Sequence, residues 1–180
     1  MPAYLLDTNV MLAASAAYQE YSALSRGAEP KDPALRILVY NELRRIEESP
    51  DHIVLDYQYL IEGEYRRNME AYATDRATQE YGMLVLQNKK DNCKVNYVYL
   101  DVVDFGSDKI AALNPPLDEI VTDQADRKWV AASKAHLEYY SEPATIVYAA
   151  ESDWVKIEAD LNQHGIPLKG LLPKDWFTRS

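Results

Sequence analysis

Acidic side chains stand at the ends of three short apolar segments of the chain. The segments are Leu5-Leu6 before Asp7, Val54-Leu55 before Asp56, and Ile146-Val147 before Glu151 and Asp153. In an open parallel sheet, ligands bind at the carboxyl ends of the strands, so buried strands of this kind would bring the acids together. Carboxylates held close repel one another, and Mg²⁺ or Mn²⁺, which prefer oxygen ligands, relieve that repulsion. The pattern therefore predicts a divalent-metal site that activates water and stabilises the charge developing on a phosphodiester.

The same acids also have a purely structural interpretation. Each of them precedes a segment with helical character, where an acidic side chain can cap the first turn. For any single acid the cap is the stronger interpretation, whereas several acids on successive units favour a shared site. On the sequence alone, both interpretations stay open.

The elements that must position these acids alternate between strand and helix in the N-terminal half. The pattern predicts a strand at residues 3–6, a helix start near residue 10, a loop at 20–31, a helix from 33 to Pro50, a strand at 52–55, and a long helix from about Tyr59 into the seventies. Asp32 and Pro33 supply an N-cap and a first helical residue. Gly82 is predicted to end the long helix or nearly so.

The C-terminal half continues the alternation after a segment that fits two structures. Residues 95–103 fit a strand paired with residues 83–86, and they fit helix and loop equally well. The pattern then predicts a loop at 114–116, a helix capped by Thr122 or Asp123, a strand at 145–149, a helix capped by Ser152 or Asp153, a C′ glycine at Gly165, and a last strand within 166–172. This order predicts one α/β domain spanning residues 1–180, with a central parallel sheet covered by helices on both faces.

Composition and charge limit the class of protein. The 180 residues are 47% hydrophobic and 27% charged, as in a globular domain with a buried core. No segment is apolar over the length of a membrane span, and the first residues do not resemble a signal peptide. The single cysteine, Cys93, allows neither an internal disulfide nor a thiolate metal site. We therefore expect a cytoplasmic protein without membrane association.

The formal net charge of −10 counts against binding nucleic acid through the overall electrostatic field. A nucleic-acid enzyme of this charge needs local basic patches or divalent metal at its site. Four cations follow acids of interest along the chain, namely Arg66, Arg67, Arg127 and Lys128. They are suited to holding phosphates, and solvated helix charges are the equal alternative.

Four motifs resemble those of the PIN-domain nuclease family, in the family's order. Leu5-Leu6-Asp7-Thr8-Asn9-Val10 looks like the opening strand with its first metal-binding aspartate, and Ile61-Glu62-Gly63-Glu64-Tyr65 is similar to the glutamate motif after the second strand. Residues 126–132 resemble the aspartate that opens a helix on the sheet. Residues 146–154 match the last strand with its acid pair and aromatic residue.

The resemblance implies a PIN-like three-layer α/β/α domain with endoribonuclease activity that depends on Mg²⁺ or Mn²⁺. It implies four catalytic, metal-binding acids, with Glu151 as a further metal ligand; the four are Asp7, Glu64, Asp126 and Asp153. Asn9 or Thr8 would orient them. Glu62 competes with Glu64, although the two point about 200° apart on a helix, and Asp123 competes with Asp126. Ala149-Ala150 departs from the family, whose members often carry Thr or Asn there.

The resemblance implies protein partners as well as a nucleic-acid substrate. RNA is the favoured substrate, and DNA or a branched nucleic acid is the alternative. The family includes toxins paired with an antitoxin protein, so an antitoxin or a second copy of the chain, as a homodimer, is compatible with it. A degenerate PIN-like binding module without activity is the competing function, and the acidic net charge favours it slightly.

Overall fold

A five-stranded, fully parallel sheet forms the centre of the fold. A computed structural model describes residues 1–18, 27–69 and 80–178. The strands are β1 (Ala3–Leu6), β2 (His52–Asp56), β3 (Val95–Val98), β4 (Val102–Phe105), β5 (Asp108–Ala111), β6 (Thr145–Tyr148) and β7 (Leu168–Gly170). The sheet has the order β3-β2-β1-β6-β7, and β4 and β5 pair separately as an antiparallel hairpin. Because β1 lies between β2 and β6, the residues that follow these three strands meet at one edge.

Helices cover the two faces of the sheet, which gives three layers. They are α1 (Thr8–Tyr18), α2 (Pro33–Glu48), α3 (Leu60–Met69), α4 (Tyr81–Asp91), α5 (Leu117–Ile120), α6 (Arg127–Tyr140) and α7 (Ser152–Gln163), with a 3-10 turn at Lys174–Trp176. Helices α1, α2 and α4 pack against one another, whereas α6 packs against β1, β2, β3 and β6. The α/β class and the central parallel sheet predicted from the sequence are confirmed.

The central strands are buried because helices cover them on both sides. The three apolar pairs that precede the acids are almost wholly inaccessible, and their members are Leu5, Leu6, Val54, Leu55, Ile146 and Val147. Continuous apolar runs are typical of parallel strands in such layers. The predicted cap of α2 is confirmed, since the Asp32 side chain accepts the Ala34 N–H at 2.8 Å and Pro33 is the first helical residue. Gly165 follows α7 with φ +75°, as a C′ glycine does.

Residues 81–91 form a helix, so of the two alternatives left open by the sequence, the strand pairing of residues 83–86 with 95–103 is excluded. Gly82 lies in the first turn of α4 and does not end a helix. Its N–H donates to the hydroxyl of Ser15 on α1 at 2.9 Å, and a Cβ at this position would lie 3.0 Å from that of Met11. Glycine is therefore required for the close approach of α1 to α4.

Two predicted segments fall partly outside the described residues. The helix expected from Tyr59 begins at Leu60 as α3, and its expected continuation lies in residues 70–79, which the structure does not describe. Residues 20–26 of the loop predicted at 20–31 also lie outside the described residues. Among the residues that are described, no helix is long and apolar enough to cross a membrane.

The β4–β5 hairpin stands apart from the main sheet. Gly106, with φ +62°, and Ser107 form its two-residue turn, a position where glycine avoids backbone strain. A hydrogen bond from the Ala112 N–H to the Asp101 carbonyl, 2.8 Å long, continues the pairing beyond the base of the hairpin. The end near the turn is exposed, including Phe105 and Lys109.

Candidate metal centre at the carboxyl edge of the sheet

Asp7 lies at the carboxyl end of the central strand. Its backbone N–H donates to the Val147 carbonyl at 2.9 Å, which extends the pairing of β1 with β6. Its carboxylate accepts two hydrogen bonds, from the backbone N–H of Asn9 (2.8 Å) and from the indole N–H of Trp154 on α7 (3.2 Å). Asp7 is only 4% exposed. These contacts fix a buried carboxylate in one orientation at the sheet edge.

The buried position of Asp7 disfavours the ionised form of its carboxyl group. Burial raises the pKa of Asp7 from 3.8 to about 6, and the hydrogen bonds from Asn9 and Trp154 offset only part of this increase. The carboxylates of Glu64 and Glu151 raise the pKa further. Acids from β1, α3 and the residue before α7 therefore share one electrostatic environment.

Asp126, immediately before α6, belongs to the same environment. Burial raises its pKa from 3.8 to about 7, and the charges of Asp7, Asp123 and Glu151 add to the increase while Lys128 opposes it. Its carboxylate accepts no hydrogen bond from a described residue and does not cap α6. Asp123 accepts the Ala125 N–H at 2.8 Å and so forms a turn before α6. The predicted cap by Thr122 or Asp123 is wrong, because Asp126 holds the N-cap position.

The two glutamates of α3 have different surroundings. Glu64 accepts a hydrogen bond from the hydroxyl of Thr8, the residue after Asp7, and forms an ion pair with Lys128 at 2.5 Å. Glu62 is buried and contacts Arg66 at 2.7 Å and Lys90 at 2.6 Å. The structure thus brings Glu64, and not Glu62, to Asp7.

Glu62 has a structural role between α3 and α4. Burial alone would raise its pKa, but the hydrogen bonds from Lys90 and Arg66 outweigh burial and lower the pKa. A buried carboxylate with two cationic partners is satisfied where it is. It has no need of a further cation.

The acid pair after β6 divides in a similar way. Glu151 accepts the side-chain N–H of Asn9 at 3.4 Å, and as the N-cap of α7 it also accepts the Asp153 N–H at 3.4 Å. The Asp153 side chain is 54% exposed and forms an ion pair with Lys156 at 2.5 Å. The sequence ranks Asp153 above Glu151 as a ligand. The structure brings Glu151 beside Asn9, and Asp153 lines a pocket of about 230 Å³ together with Asp126. The predicted cap by Ser152 or Asp153 is wrong by one or two residues, because Glu151 is the N-cap and its side chain accepts the Asp153 N–H.

Asp56, the acid after β2, is a helix cap. Its two carboxylate oxygens accept the backbone N–H groups of Leu60 and Ile61, each at 2.8 Å. Both oxygens are therefore used in starting α3. For this acid the structural interpretation holds.

Lys128 brings a buried positive charge among the acids. Its ammonium contacts Glu64, donates to the carbonyl of Ala125, and lies 4.9 Å from the centre of the Trp129 ring. Lys128 therefore neutralises one of the carboxylates that the sequence assigns to metal. The positive charge is internal to the site rather than offered to solvent.

The other three cations predicted near the acids, Arg66, Arg67 and Arg127, differ in their contacts. Arg66 is bonded to Glu62, and Arg127 donates to the backbone carbonyls of Val121 and Asp118. Arg67 is exposed, and its guanidinium makes no ion pair with any residue in the described ranges. Of these three arginines, Arg67 is the one that remains available to a phosphate.

Asp7, Glu64, Asp126 and Glu151 together form what we call the acid cluster. All its donors are oxygens, the set that hard divalent cations prefer. The raised pKa values of Asp7 and Asp126 mean that ionising these buried carboxylates costs free energy, and a bound cation would offset that cost. With the side chains of the described residues as they stand, no three His, Cys, Asp or Glu residues converge to hold an ion. The donor set fits a divalent cation in its chemistry. The side chains would have to turn inward to hold one, and Glu64 could join them only if its ion pair with Lys128 opened.

Trp154 contributes a contact to the site that its sequence pattern did not predict. Its place on the apolar face of α7 predicts core packing, and it is fully buried. Its indole N–H donates to Asp7, as a buried Trp requires a partner for this group. The aromatic residue after the acid pair was the available signal, but only the folded chain shows that it reaches β1.

Comparisons with known proteins give no family for this chain. It matches no family model, no curated protein and no solved structure. The resemblance to PIN-domain nucleases therefore rests on the four motifs alone. The acid cluster is argued from its own geometry and charge.

Asp126→Asn is expected to stabilise the metal-free protein at pH 8, with a gain that disappears toward pH 4. An acid whose pKa rises on folding contributes stability that is fully present below its unfolded pKa, here 3.8, and is lost as the pH rises through its folded pKa, here about 7. Asn removes the charge without removing a hydrogen bond to a described residue. Allowing for solvent screening, we expect a gain of about 1–2 kcal/mol at pH 8, which is roughly 2–8 °C in melting temperature.

Melting curves in EDTA at the two pH values measure this gain, and Asp153→Asn is the matched control. Asp153 carries the same charge but is exposed and paired with Lys156, so its removal should change stability by less than about 1 kcal/mol. A gain for Asp126→Asn that is equal at pH 4 and pH 8 would contradict its placement among the other acids.

Proposed function

We propose that this protein is a metal-dependent nuclease that hydrolyses RNA phosphodiester bonds at the acid cluster. One observation carries the proposal: a buried carboxylate, Asp7, shares the carboxyl edge of a parallel sheet with Asp126, which accepts no cap hydrogen bond, and burial there raises the pKa of Asp7 to about 6 and that of Asp126 to about 7. A fold that holds carboxylates against their own ionisation is typical of functional sites. A divalent cation would allow both acids to ionise.

Each member of the cluster has a role in this proposal. Asp7, Asp126 and Glu151 would hold the cation, and Glu64 would join them if Lys128 moved away. A divalent ion held there would supply the Lewis acidity that activates water and neutralises charge on the scissile phosphate. Asp153 would have to break its ion pair with Lys156 to join them.

Neighbouring residues orient the carboxylates. The Asn9 backbone and the Trp154 indole hold Asp7, the Thr8 hydroxyl holds Glu64, and the Asn9 side chain holds Glu151. Partners of this kind fix the direction of a ligand, and their loss typically costs about 10–100-fold in metal affinity or activity. RNA, rather than DNA, is proposed on the family resemblance alone.

A binding module without activity is the second candidate, and one contact favours it. The Lys128 ammonium pairs with Glu64 at 2.5 Å, which neutralises part of the cluster without metal. A site whose charge is already balanced has less need of a divalent ion. The two candidates differ in their response to metal, so metal binding separates them.

Mn²⁺ is expected to raise the melting temperature of the wild-type protein, because the ion binds only the folded arrangement of the acids. At a hundredfold excess over its dissociation constant, a ligand of the native state adds about 2.7 kcal/mol, which is roughly 5–11 °C here. Asp126→Asn should show much less of this increase. Asp160→Asn, an exposed acid of α7, should respond like the wild type.

The same samples are assayed on labelled single-stranded RNA and DNA with Mn²⁺, with Mg²⁺ and with EDTA. Cleavage that requires the ion supports the proposal. Cleavage that survives EDTA would refute the mechanism. A melting curve unaffected by millimolar Mn²⁺, together with no cleavage, would establish the binding module instead.

A further inference from the structure

A cleft of about 600 Å³ lies between the first turns of α3, the β4–β5 hairpin and the loop before α6. Glu64 and Lys128 line its wall, so the cleft is continuous with the acid cluster. Gln58 fixes its shape, since both ends of the Gln58 side-chain amide are bonded to the backbone of Leu100. The β4–β5 hairpin forms one wall of the cleft, and the start of α3 forms another.

Two of the three cations that line this cleft form no ion pair with a described residue, whereas the third, Lys128, is paired with Glu64. Arg67 and Lys109 are exposed lining residues, and neither forms an ion pair within the described part of the chain. Asp108 and Glu64 also line the cleft, so it is not uniformly basic. In a protein of net charge −10, two free cations beside the acid cluster provide the local attraction for phosphates that the overall charge does not.

Aromatic rings of the cleft are also free. Tyr59 is 67% exposed and Phe105 is 54% exposed, and neither ring contacts another ring among the residues described. By contrast, the nearby Tyr57 ring stacks on Tyr99 and makes a tilted contact with Tyr97. Exposed rings without partners present flat faces to which bases can stack.

Tyr59 is held in an unfavourable backbone conformation. Its φ is +62°, in the left-handed region that side chains rarely adopt. The surrounding contacts maintain it there, with the Tyr59 carbonyl accepting the Gly63 N–H at 3.0 Å at the start of α3. Strain of this kind at the mouth of a cleft is consistent with a binding role for the residue.

We infer that the β4–β5 hairpin and the start of α3 form a nucleotide-binding subsite, in which bases of a single strand stack on Phe105 and Tyr59 and flanking phosphates contact Lys109 and Arg67. This inference rests on the proposed function, because it takes the acid cluster as the place of cleavage. A base paired in a duplex does not offer its face to such rings, so the subsite selects unpaired strands. The hairpin is thus a substrate-binding arm, and its residues position the strand without taking part in the chemistry.

Binding of a fluorescein-labelled decauridylate RNA in EDTA, followed by fluorescence anisotropy, tests the arm without cleavage. Stacking on one aromatic side chain is worth about 1–3 kcal/mol, so Phe105→Ala should weaken binding by about 5- to 150-fold. Lys109→Gln should weaken binding and reduce the slope of log affinity against log salt by about 0.7, the value for one phosphate contact on a single strand. The same decamer paired with its complement should bind more weakly than the single strand.

Matched controls come from the same elements. Val103→Ala changes an exposed side chain of β4 that does not line the cleft, and Lys134→Gln removes a lysine of α6 outside it. Both should bind like the wild type. With Mn²⁺ added, Phe105→Ala should raise KM while kcat stays within about threefold, as expected for lost substrate binding.

The outcomes separate the arm from the nuclease. If the wild type cuts RNA while Phe105→Ala and Lys109→Gln bind and cut like it, the arm is refuted and the nuclease stands. If the wild type binds the decamer, loses binding in both variants, and does not cut under any metal, the arm stands and the nuclease is refuted. Absence of binding by the wild type at low salt also refutes the arm.

Discussion

Asp7→Asn is expected to reduce RNA cleavage by about a hundredfold or more while the protein remains folded. Asn keeps the shape of the side chain but removes the charge that would hold the cation. Loss of a metal ligand removes several kcal/mol of transition-state stabilisation, and each step of about 1.4 kcal/mol is tenfold in rate. The measurement is kcat/KM for labelled RNA with Mn²⁺, at a pH above 7, where wild-type Asp7, with a pKa of about 6, is ionised.

Stability should change little in this variant because two effects oppose each other. The raised pKa of Asp7, from 3.8 to about 6, corresponds to about 3 kcal/mol that the neutral side chain regains. Asn, however, cannot accept from both Asn9 and Trp154, and a buried donor left without a partner costs about 1–3 kcal/mol. Folding therefore survives, and a large kinetic effect would belong to the site.

Asp56→Asn is the matched control for Asp7→Asn. It makes the same change in a buried acid at the end of the neighbouring strand. Asp56 accepts two backbone N–H groups of α3, so its loss should lower the melting temperature and leave kcat for the folded fraction nearly unchanged. Equal activity of Asp7→Asn and wild type would show that the acid after β1 is a cap as well.

Much of the fold follows from patterns that act over short distances in the sequence. Apolar runs at residues 3–6, 52–55 and 145–148 form strands because a sheet covered on both faces requires continuous hydrophobicity. The start of α2 follows from Asp32 and Pro33, whose capping chemistry involves only adjacent residues. Residues 83–86 were ambiguous because a short apolar run fits a strand or a buried helix. Residues 83–86 belong to helix α4, which packs closely against α1 where Gly82 meets Met11.

The candidate site was only partly predictable, because burial and pairing depend on the whole fold. Glu64 could be preferred to Glu62 because helical spacing puts the two on different faces. Both Glu151 and Asp153 were predicted as ligands, but their different contacts could not be foreseen, since these depend on Asn9 meeting Glu151 and on Lys156 pairing with Asp153. The hairpin cleft had no sequence signal, because its rings and cations come from residues about forty positions apart that only tertiary packing joins.

Lys128 shows how the acid cluster is tolerated without a metal ion. The charge of Glu64 raises the pKa of the neighbouring Asp7, and like charges at about 4 Å cost roughly 1–4 kcal/mol depending on the local dielectric. An ammonium that pairs with Glu64 lowers this cost in the metal-free protein. The same ammonium must leave Glu64 if that carboxylate is to bind a cation, so Lys128 and the metal compete for it.

Glu64→Gln is expected to reduce activity, whereas Glu62→Gln is expected to reduce thermal stability. Glu64→Gln should abolish cleavage, by about a hundredfold or more, and weaken Mn²⁺ binding, because it removes a proposed ligand from the acid cluster. Glu62→Gln should retain kcat per folded molecule and lower the melting temperature, because it breaks the buried contacts with Arg66 and Lys90. The measurements are kcat with Mn²⁺, corrected for the folded fraction, and melting temperature in EDTA.

Removing the Lys128 ammonium provides a control for the comparison of Glu64→Gln with Glu62→Gln. Glu64→Gln leaves the buried ammonium without its carboxylate, so part of any loss could come from a displaced lysine rather than a lost ligand. Lys128→Met removes the ammonium and keeps Glu64, and it should bind Mn²⁺ more tightly than the wild type because the competitor is gone. The double variant should bind Mn²⁺ more weakly than Lys128→Met alone. If instead Glu64→Gln cleaves RNA normally and Glu62→Gln does not, the functional face of α3 is the one that carries Glu62, and the ion pair of Glu64 with Lys128 is a structural contact.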